Sequence, residues 1–141
     1  MQIFNVSKKQ LLCDQCRLAS TFLQRLVGLL NRNTLRHGEG LLLDNCHGIH
    51  TVGMRFQIDV LFLDKDLHVM RTVQRLRPFH VGPVVNDAVY VLELAAGVIE
   101  ETHTDVGDQI QFRTGSEAAI PAPQSDGGPS PLPALGSNCS R

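Results

Sequence analysis

The chain has 141 residues, of which 43% are hydrophobic, 19% charged and 5% aromatic, a balance typical of one globular domain. Its 13 basic and 14 acidic side chains give a formal net charge of −1, which argues against a nucleic-acid partner because such proteins carry a clear basic excess. No apolar run approaches the ~20 residues that cross a bilayer, and the start of the chain does not resemble a signal peptide, so we expect a cytoplasmic protein without membrane insertion.

The first predicted element is an N-terminal helix that begins near residue 21. Thr21 and Gln24 have the spacing of a capping box, and Asn31 is a suitable end. Gly28 lies inside this helix, where glycine costs about 1 kcal/mol relative to alanine, and therefore suggests close approach by another backbone. The predicted apolar face consists of Phe22, Leu26, Leu29 and Leu30.

Most of the following chain is predicted to form strands. Five short segments are rich in β-branched or aromatic residues and are separated by turn-forming residues. They cover residues 40–46, 56–64, 67–76, 88–94 and 108–113. Residues 64–66 indicate a hairpin turn, and residues 95–108 a short helix or loop. This pattern favours a mainly β domain, a compact sandwich or barrel with the N-terminal helix packed on it, over a parallel α/β sheet.

The composition changes at residue 115. The segment 115–141 contains five of the seven prolines, together with many glycines and serines, and shows no hydrophobic periodicity. Such a segment buries too little apolar surface to offset the entropy of ordering. The sequence therefore predicts a single globular domain over residues 1–114 and a disordered tail over 115–141, with Cys139 as a free thiol on the tail.

The strand at 56–64 contains a carboxylate in an otherwise apolar run. Alternation places Asp59 on the same face as two leucines, and an unpaired buried charge costs several kcal/mol. We therefore predict that Asp59 is ionised and paired with Arg25 or Arg55, with His50 within reach. Two interpretations are open: a structural ion pair, or a polar ligand pocket built from His50, Arg55 and Asp59.

Several motifs around this strand carry a family resemblance. The segments LASTFLQRLVGLLNR, GEGLLLDNCHGIHTVGMRFQIDVLFLD, VLELAAG and VGD occur in this order. They resemble the widespread prokaryotic domain-of-unknown-function family 192 over roughly residues 11–113. The resemblance implies a jelly-roll-like β domain with an N-terminal helix and implies no established activity.

The resemblance also implies which positions belong to the family pattern. The chain departs from it at Asn31, where glycine is commoner, and at Gln57, where proline is usual. The matching positions are Arg25, Gly28, Cys46, His50, Thr51, Met54, Arg55, Asp59, Glu93, Gly97, Gly107 and Asp108.

Cysteine and histidine spacing raises two metal-binding alternatives. Cys13 and Cys16, separated by two residues, combine with Cys46 and His50 into the Cys₃His set of a structural zinc site. Cys46, His50 and Met54 offer softer ligands that suit copper(I).

A third alternative is a cysteine-type hydrolase. Cys46 would be the nucleophile, His50 the base, and Asp59 would orient the imidazole. No glycine-rich oxyanion or phosphate loop accompanies these residues. The sequence therefore favours a small binding or accessory β module, without assigned catalytic residues or cofactor, that binds a small ligand or a protein. Its predicted pocket consists of Arg25, His50, Thr51, Met54, Arg55 and Asp59.

Overall fold

The computed structural model describes residues 1–115 and 139–140, the latter two as backbone only. The side chains of Phe22 and Leu26, on the predicted helical face, lie outside the described residues. So does nearly all of the segment 115–141. The predicted disorder of that segment therefore stays a prediction.

The described residues form nine strands and two short helices. The strands are β1 (Gln2–Asn5), β2 (Gln10–Ala19), β3 (Gly38–Asp44), β4 (Cys46–Gly48), β5 (Ile58–Leu63), β6 (Val69–Leu76), β7 (Tyr90–Ala95), β8 (Ile110–Arg113) and β9 (Cys139–Ser140), and the helices are α1 (Phe22–Val27) and α2 (Val98–Thr102). The prediction of a mainly β domain is confirmed. Strands β1, β2, β4 and β9 are not among the five predicted segments.

Seven of the strands form one sheet in the order β6-β5-β7-β3-β2-β1-β8. Neighbouring strands are antiparallel, except that β2 and β3 are parallel. An isolated bridge between His68 and Gln109 joins the residue before β6 to the residue before β8, at the two ends of this order. β4 lies outside the sheet and pairs in parallel with β9.

The centre of the sheet is buried on both faces. Every residue of β5 and of β7 is buried, and the two strands pair directly, with Leu61 opposite Leu92. Because both faces of these strands are buried, a polar side chain on either face is shielded from water. The carboxylates of Asp59 and Glu93 are consequently buried, with relative exposures of 0%.

Helix α1 has the predicted beginning and an earlier end. The backbone N–H of Gln24 donates to Thr21 Oγ1 at 3.2 Å, and the Gln24 side chain accepts from Thr21 N at 3.3 Å, which completes the capping box. The helix ends at Val27 because Gly28 adopts φ 45° and acts as the C-cap. A positive φ is inexpensive for glycine alone, so Gly28 ends the helix that was expected to continue to Asn31.

The helix that packs on the β domain was predicted near the N-terminus, and this prediction is wrong. Among the described side chains of α1, Arg25 alone is buried. The helix that packs against the core is α2, in the 95–108 stretch, where Val98, Ile99 and Thr102 are buried. Within the described residues, no helix is long and apolar enough to cross a membrane.

Candidate functional site

Two loops are held together beside β4. The β4–β5 loop comprises residues 49–57, and the β6–β7 loop comprises residues 77–89. Thr51 N donates to the carbonyl of His80 at 2.8 Å, and Gly82 N donates to the carbonyl of Ile49 at 2.9 Å. These bonds fix the loops against each other although they are far apart in the sequence.

A groove of about 390 Å³ lies between these two loops. It is lined by Gly48, Ile49, His50, Val52, Val81, Gly82 and Val84. Val52, Val81 and Val84 are 50%, 78% and 58% exposed. Aliphatic side chains that face solvent together on a concave surface are candidates for a binding site. Since none of the lining residues described carries a fixed charge, the groove suits an apolar ligand.

The hydroxyl of Thr51 binds the backbone of the β6–β7 loop, which lines one side of the groove. This side chain is fully buried, and its Oγ1 accepts a hydrogen bond from His80 N at 3.0 Å while donating to the carbonyl of Arg77 at 2.5 Å. Thr51 therefore satisfies two backbone groups of the β6–β7 loop. It belongs to the predicted pocket residues, but it supports the groove and does not line it.

Gly82 allows the two loops to approach. A Cβ at this position would lie 2.8 Å from Cγ2 of Ile49 and 3.2 Å from the Ile49 carbonyl oxygen. The first separation is shorter than a van der Waals contact between carbons. Only glycine therefore fits at position 82 with Ile49 in its present place.

Asp59 has a different set of partners from the predicted one. Its Oδ1 accepts from Arg75 N at 2.8 Å, and its Oδ2 accepts from Gly97 N at 3.0 Å and from Ile99 N at 2.9 Å. Gly97 is the N-cap residue of α2 and has no side chain of its own to cap the helix. The Asp59 carboxylate thus caps α2 and holds the backbone of β6 at Arg75, where φ is 51°.

The two predicted cationic partners of Asp59 bind elsewhere, so that prediction is wrong. Arg25 Nη1 donates to the carbonyls of Ser20 at 2.8 Å and of Asp44 at 3.2 Å. The Arg55 side chain is at the surface and donates to Asn33 Oδ1 at 2.6 Å. Burial raises the pKa of the Asp44 carboxyl, and the nearby charge of Arg25 opposes that rise.

Of the six predicted pocket residues, His50 alone lines the groove. Met54 is buried in the core at 1% exposure. Arg55 and Asp59 lie outside the lining, so the structure does not bring the predicted trio of His50, Arg55 and Asp59 together around this groove.

Cys13, Cys16 and Cys46 are buried, and the described residues do not assemble the predicted zinc set. Among the residues described, no group of three or more histidine, cysteine, aspartate or glutamate side chains could hold a metal ion. The hydrogen bond to Cys16 and burial raise the pKa of the Cys13 thiol far above its ordinary value. The copper(I) trio of Cys46, His50 and Met54 stays a prediction.

The hydrolase alternative stays a prediction for Cys46 and His50, whereas Asp59 has partners other than the one this arrangement requires. The Cys46 thiol donates to the carbonyl of Gly48 at 3.2 Å. The hydrogen bonds of Asp59 come from the backbone N–H groups of Arg75, Gly97 and Ile99, and none of them involves His50, which a triad acid would orient.

The part of the groove that comes from the β6–β7 loop was not predicted from the sequence. The signal was present as the apolar residues Val81, Val84 and Val85, which stand next to glycine and proline without strand periodicity. Sequence alone did not show that this loop lies against residues 49–52.

Comparisons with protein sequences place the chain among uncharacterised proteins. The model of the family DUF192, described as "Uncharacterized ACR", matches residues 3–112. A UPF0127 protein of Thermococcus sibiricus is 29% identical over 126 residues, which is 86% of this chain and 81% of that protein. A UPF0127 protein of Pyrococcus furiosus is 28% identical over 113 residues, 78% of this chain and 97% of that protein.

Two crystal structures share the fold. A protein of unknown function from Novosphingobium aromaticivorans has a TM-score of 0.68 and 20% identity, covering 79% of this chain and 82% of its own. A protein from Sinorhizobium meliloti 1021 has a TM-score of 0.65 and 22% identity, covering 78% of this chain and 89% of its own. At this level of identity the likeness concerns the fold alone.

Proposed function

The chain belongs to the DUF192 family of uncharacterised proteins, and we propose that it is a small binding module whose ligand occupies the groove between the β4–β5 and β6–β7 loops. The ligand presents apolar groups to Ile49, Val52, Val81 and Val84. His50 supplies the polar group of the lining, while Thr51 and Met54 support the loop from the buried side. Arg25, Arg55 and Asp59 have structural roles.

The single observation that carries this proposal is the exposure of the three groove valines. Complete burial of such a side chain contributes about 1.5–3 kcal/mol, so three valines that are half to three-quarters exposed would supply about 3–6 kcal/mol. An interaction of 4.1 kcal/mol corresponds to roughly millimolar affinity. Since immobilising the ligand opposes this gain, the groove suits a partner that binds transiently or that makes further contacts beside it.

The same proposal includes three further properties of the protein, which are a closed barrel, a cytoplasmic location and a prokaryotic origin. The bridge between His68 and Gln109 supports a sheet that closes on itself as a barrel. Buried cysteines outside any disulfide, Cys13 and Cys16 among them, support a reducing, cytoplasmic location. The archaeal and bacterial relatives support a prokaryotic origin.

The test uses the full chain and 1-anilinonaphthalene-8-sulfonate, an anionic fluorescent probe whose aromatic rings bind apolar surfaces. Val81→Asp places a charge in the groove and should lower the probe's fluorescence enhancement several-fold. The matched control is Val106→Asp, because Val106 is an exposed valine of the α2–β8 loop, outside the groove, at 57% exposure. Circular dichroism confirms that both variants fold. Equal effects of the two substitutions, or no effect of either, would overturn the groove as the binding site.

A further inference from the structure

The β4 strand accepts an extended backbone from elsewhere in the chain. It pairs in parallel with β9, with Cys46 opposite Cys139 and Gly48 opposite Ser140. Gly48 is also one of the residues that line the groove. The strand-accepting edge and the apolar groove are therefore continuous at Gly48.

Because β4 and β9 are parallel, a strand that pairs with β4 as β9 does runs toward the groove. β4 runs from Cys46 to Gly48 and then continues into Ile49 and His50, both of which line the groove. A segment that pairs with β4 in the direction of β9 runs the same way. Residues of that segment beyond the position of Ser140 therefore pass alongside Ile49 and His50.

From this continuity we propose that the partner of the groove is an extended polypeptide segment, which adds to β4 as a parallel strand and inserts apolar side chains into the groove. In strand addition, main-chain hydrogen bonds supply affinity and alternate side chains supply specificity. The proposal rests on the proposed function, because it names the class of ligand that the groove takes. The segment is uncharged where it meets the groove, since the lining residues described offer no fixed charge.

The chain's own β9 strand is then an intramolecular competitor. Cys139–Ser140 occupies the same edge of β4 that the partner uses. A tethered strand acts at a high effective concentration, so a free segment must displace it. The affinity of the full chain for a free segment is therefore lower than the groove and the β4 edge would otherwise allow, and β9 regulates access to that edge.

The experiment measures fluorescence anisotropy with a labelled, end-blocked decapeptide of alternating valine and threonine and the full-length chain. A second peptide has the same side chains but N-methyl groups on alternate backbone nitrogens, which abolish strand pairing. We expect the first peptide to bind and the N-methylated peptide to bind at least roughly tenfold more weakly. Equal binding of the two peptides would overturn strand addition while leaving the apolar groove as a binding site.

Variants of the chain test the competition. Ser140→Pro removes the backbone N–H of a β9 residue and should tighten binding of the unmodified peptide roughly tenfold. Val81→Asp should weaken it by a similar factor, and Val106→Asp should not change it. An unchanged affinity in Ser140→Pro would overturn the role of β9 as competitor. Light scattering completes the test, since dimerisation of Ser140→Pro that blocks the peptide would assign β4 to a second copy and overturn the proposal.

Discussion

Replacing Asp59 with asparagine should destabilise the fold without changing the shape of the side chain. The carboxylate receives three backbone hydrogen bonds, one on Oδ1 from Arg75 and two on Oδ2 from Gly97 and Ile99. Asparagine has one acceptor oxygen, which can keep the two bonds from α2. Its amide NH₂ then faces the N–H of Arg75, so that a donor meets a donor in a part-buried contact.

The magnitude follows from counting these bonds. A hydrogen bond to a charged group contributes about 1.5–3 kcal/mol and a neutral one about 1 kcal/mol, so the two retained bonds lose about 2 kcal/mol together. The third bond is lost, and the stranded N–H of Arg75 costs about 1–3 kcal/mol. Because Asp59 is 0% exposed, water does not offset this loss, and the expected total is about 3–5 kcal/mol.

The assay is denaturant unfolding followed by circular dichroism, with the same substitution at Asp64 as the control. Oδ1 of Asp64 accepts from Asp66 N and His68 N, both at 2.9 Å, in a turn where the Asp64 side chain is 32% exposed. A single amide oxygen can keep both bonds there, so Asp64→Asn should cost less than about 1 kcal/mol. Similar losses for the two variants would refute the reasoning, and so would an Asp59→Asn cost below about 1 kcal/mol.

Three further predictions concern the loops and the pH dependence. Thr51→Val should cost about 2 kcal/mol in denaturant unfolding, because two part-buried backbone groups lose their partner, whereas Thr51→Ser should stay close to wild type; equal losses would contradict this role. Gly82→Ala should weaken binding of the anilinonaphthalene probe by displacing Ile49, and an unchanged affinity would show that the loops adjust freely. The hydrogen bonds from Arg32 lower the pKa of Glu39, so they stabilise the fold above the unfolded-state pKa, and this stability is lost as pH falls through the lowered value. Glu39→Gln should therefore flatten the loss of stability on acidification, and an acid limb identical to that of wild type would count against it.

Local features were predictable from the sequence because their partners are near in the chain. The capping box of α1 needs Thr21 and Gln24 alone, and both of its hydrogen bonds form as expected. The hairpin turn at 64–66 is confirmed, since Asp64 Oδ1 accepts from residues two and four positions later. The mainly β class followed from strand-forming segments that β5, β6 and β7 largely reproduce.

Strands β1 and β2 show why the local sequence pattern did not predict every strand. β2 runs over Gln10–Ala19 with exposed residues in pairs between the buried ones, which differs from strict alternation. A register irregularity between Cys13 and Gln15 breaks the period of two. Its pairing with β1 and β3, and not its own pattern, makes this segment a strand.

For Asp59, the sequence indicated a buried carboxylate that needs partners, and the tertiary structure determined which groups are those partners. Alternation along β5 indicated a carboxylate among apolar residues, and it is buried. Its partners at Gly97 and Ile99 are 38 and 40 positions away. They reach it because β7 pairs with β5 and delivers the start of α2 next to Asp59, a placement that no local spacing encodes.

The groove depended on tertiary structure to a greater degree. The sequence singled out His50 and Thr51 from the family pattern, but the valines that make the groove apolar come partly from the β6–β7 loop. Backbone hydrogen bonds between Thr51 and His80 bring that loop into place. Local sequence determines which groups must be satisfied or buried, whereas the pairing of distant segments determines which surfaces meet and what kind of ligand they can bind.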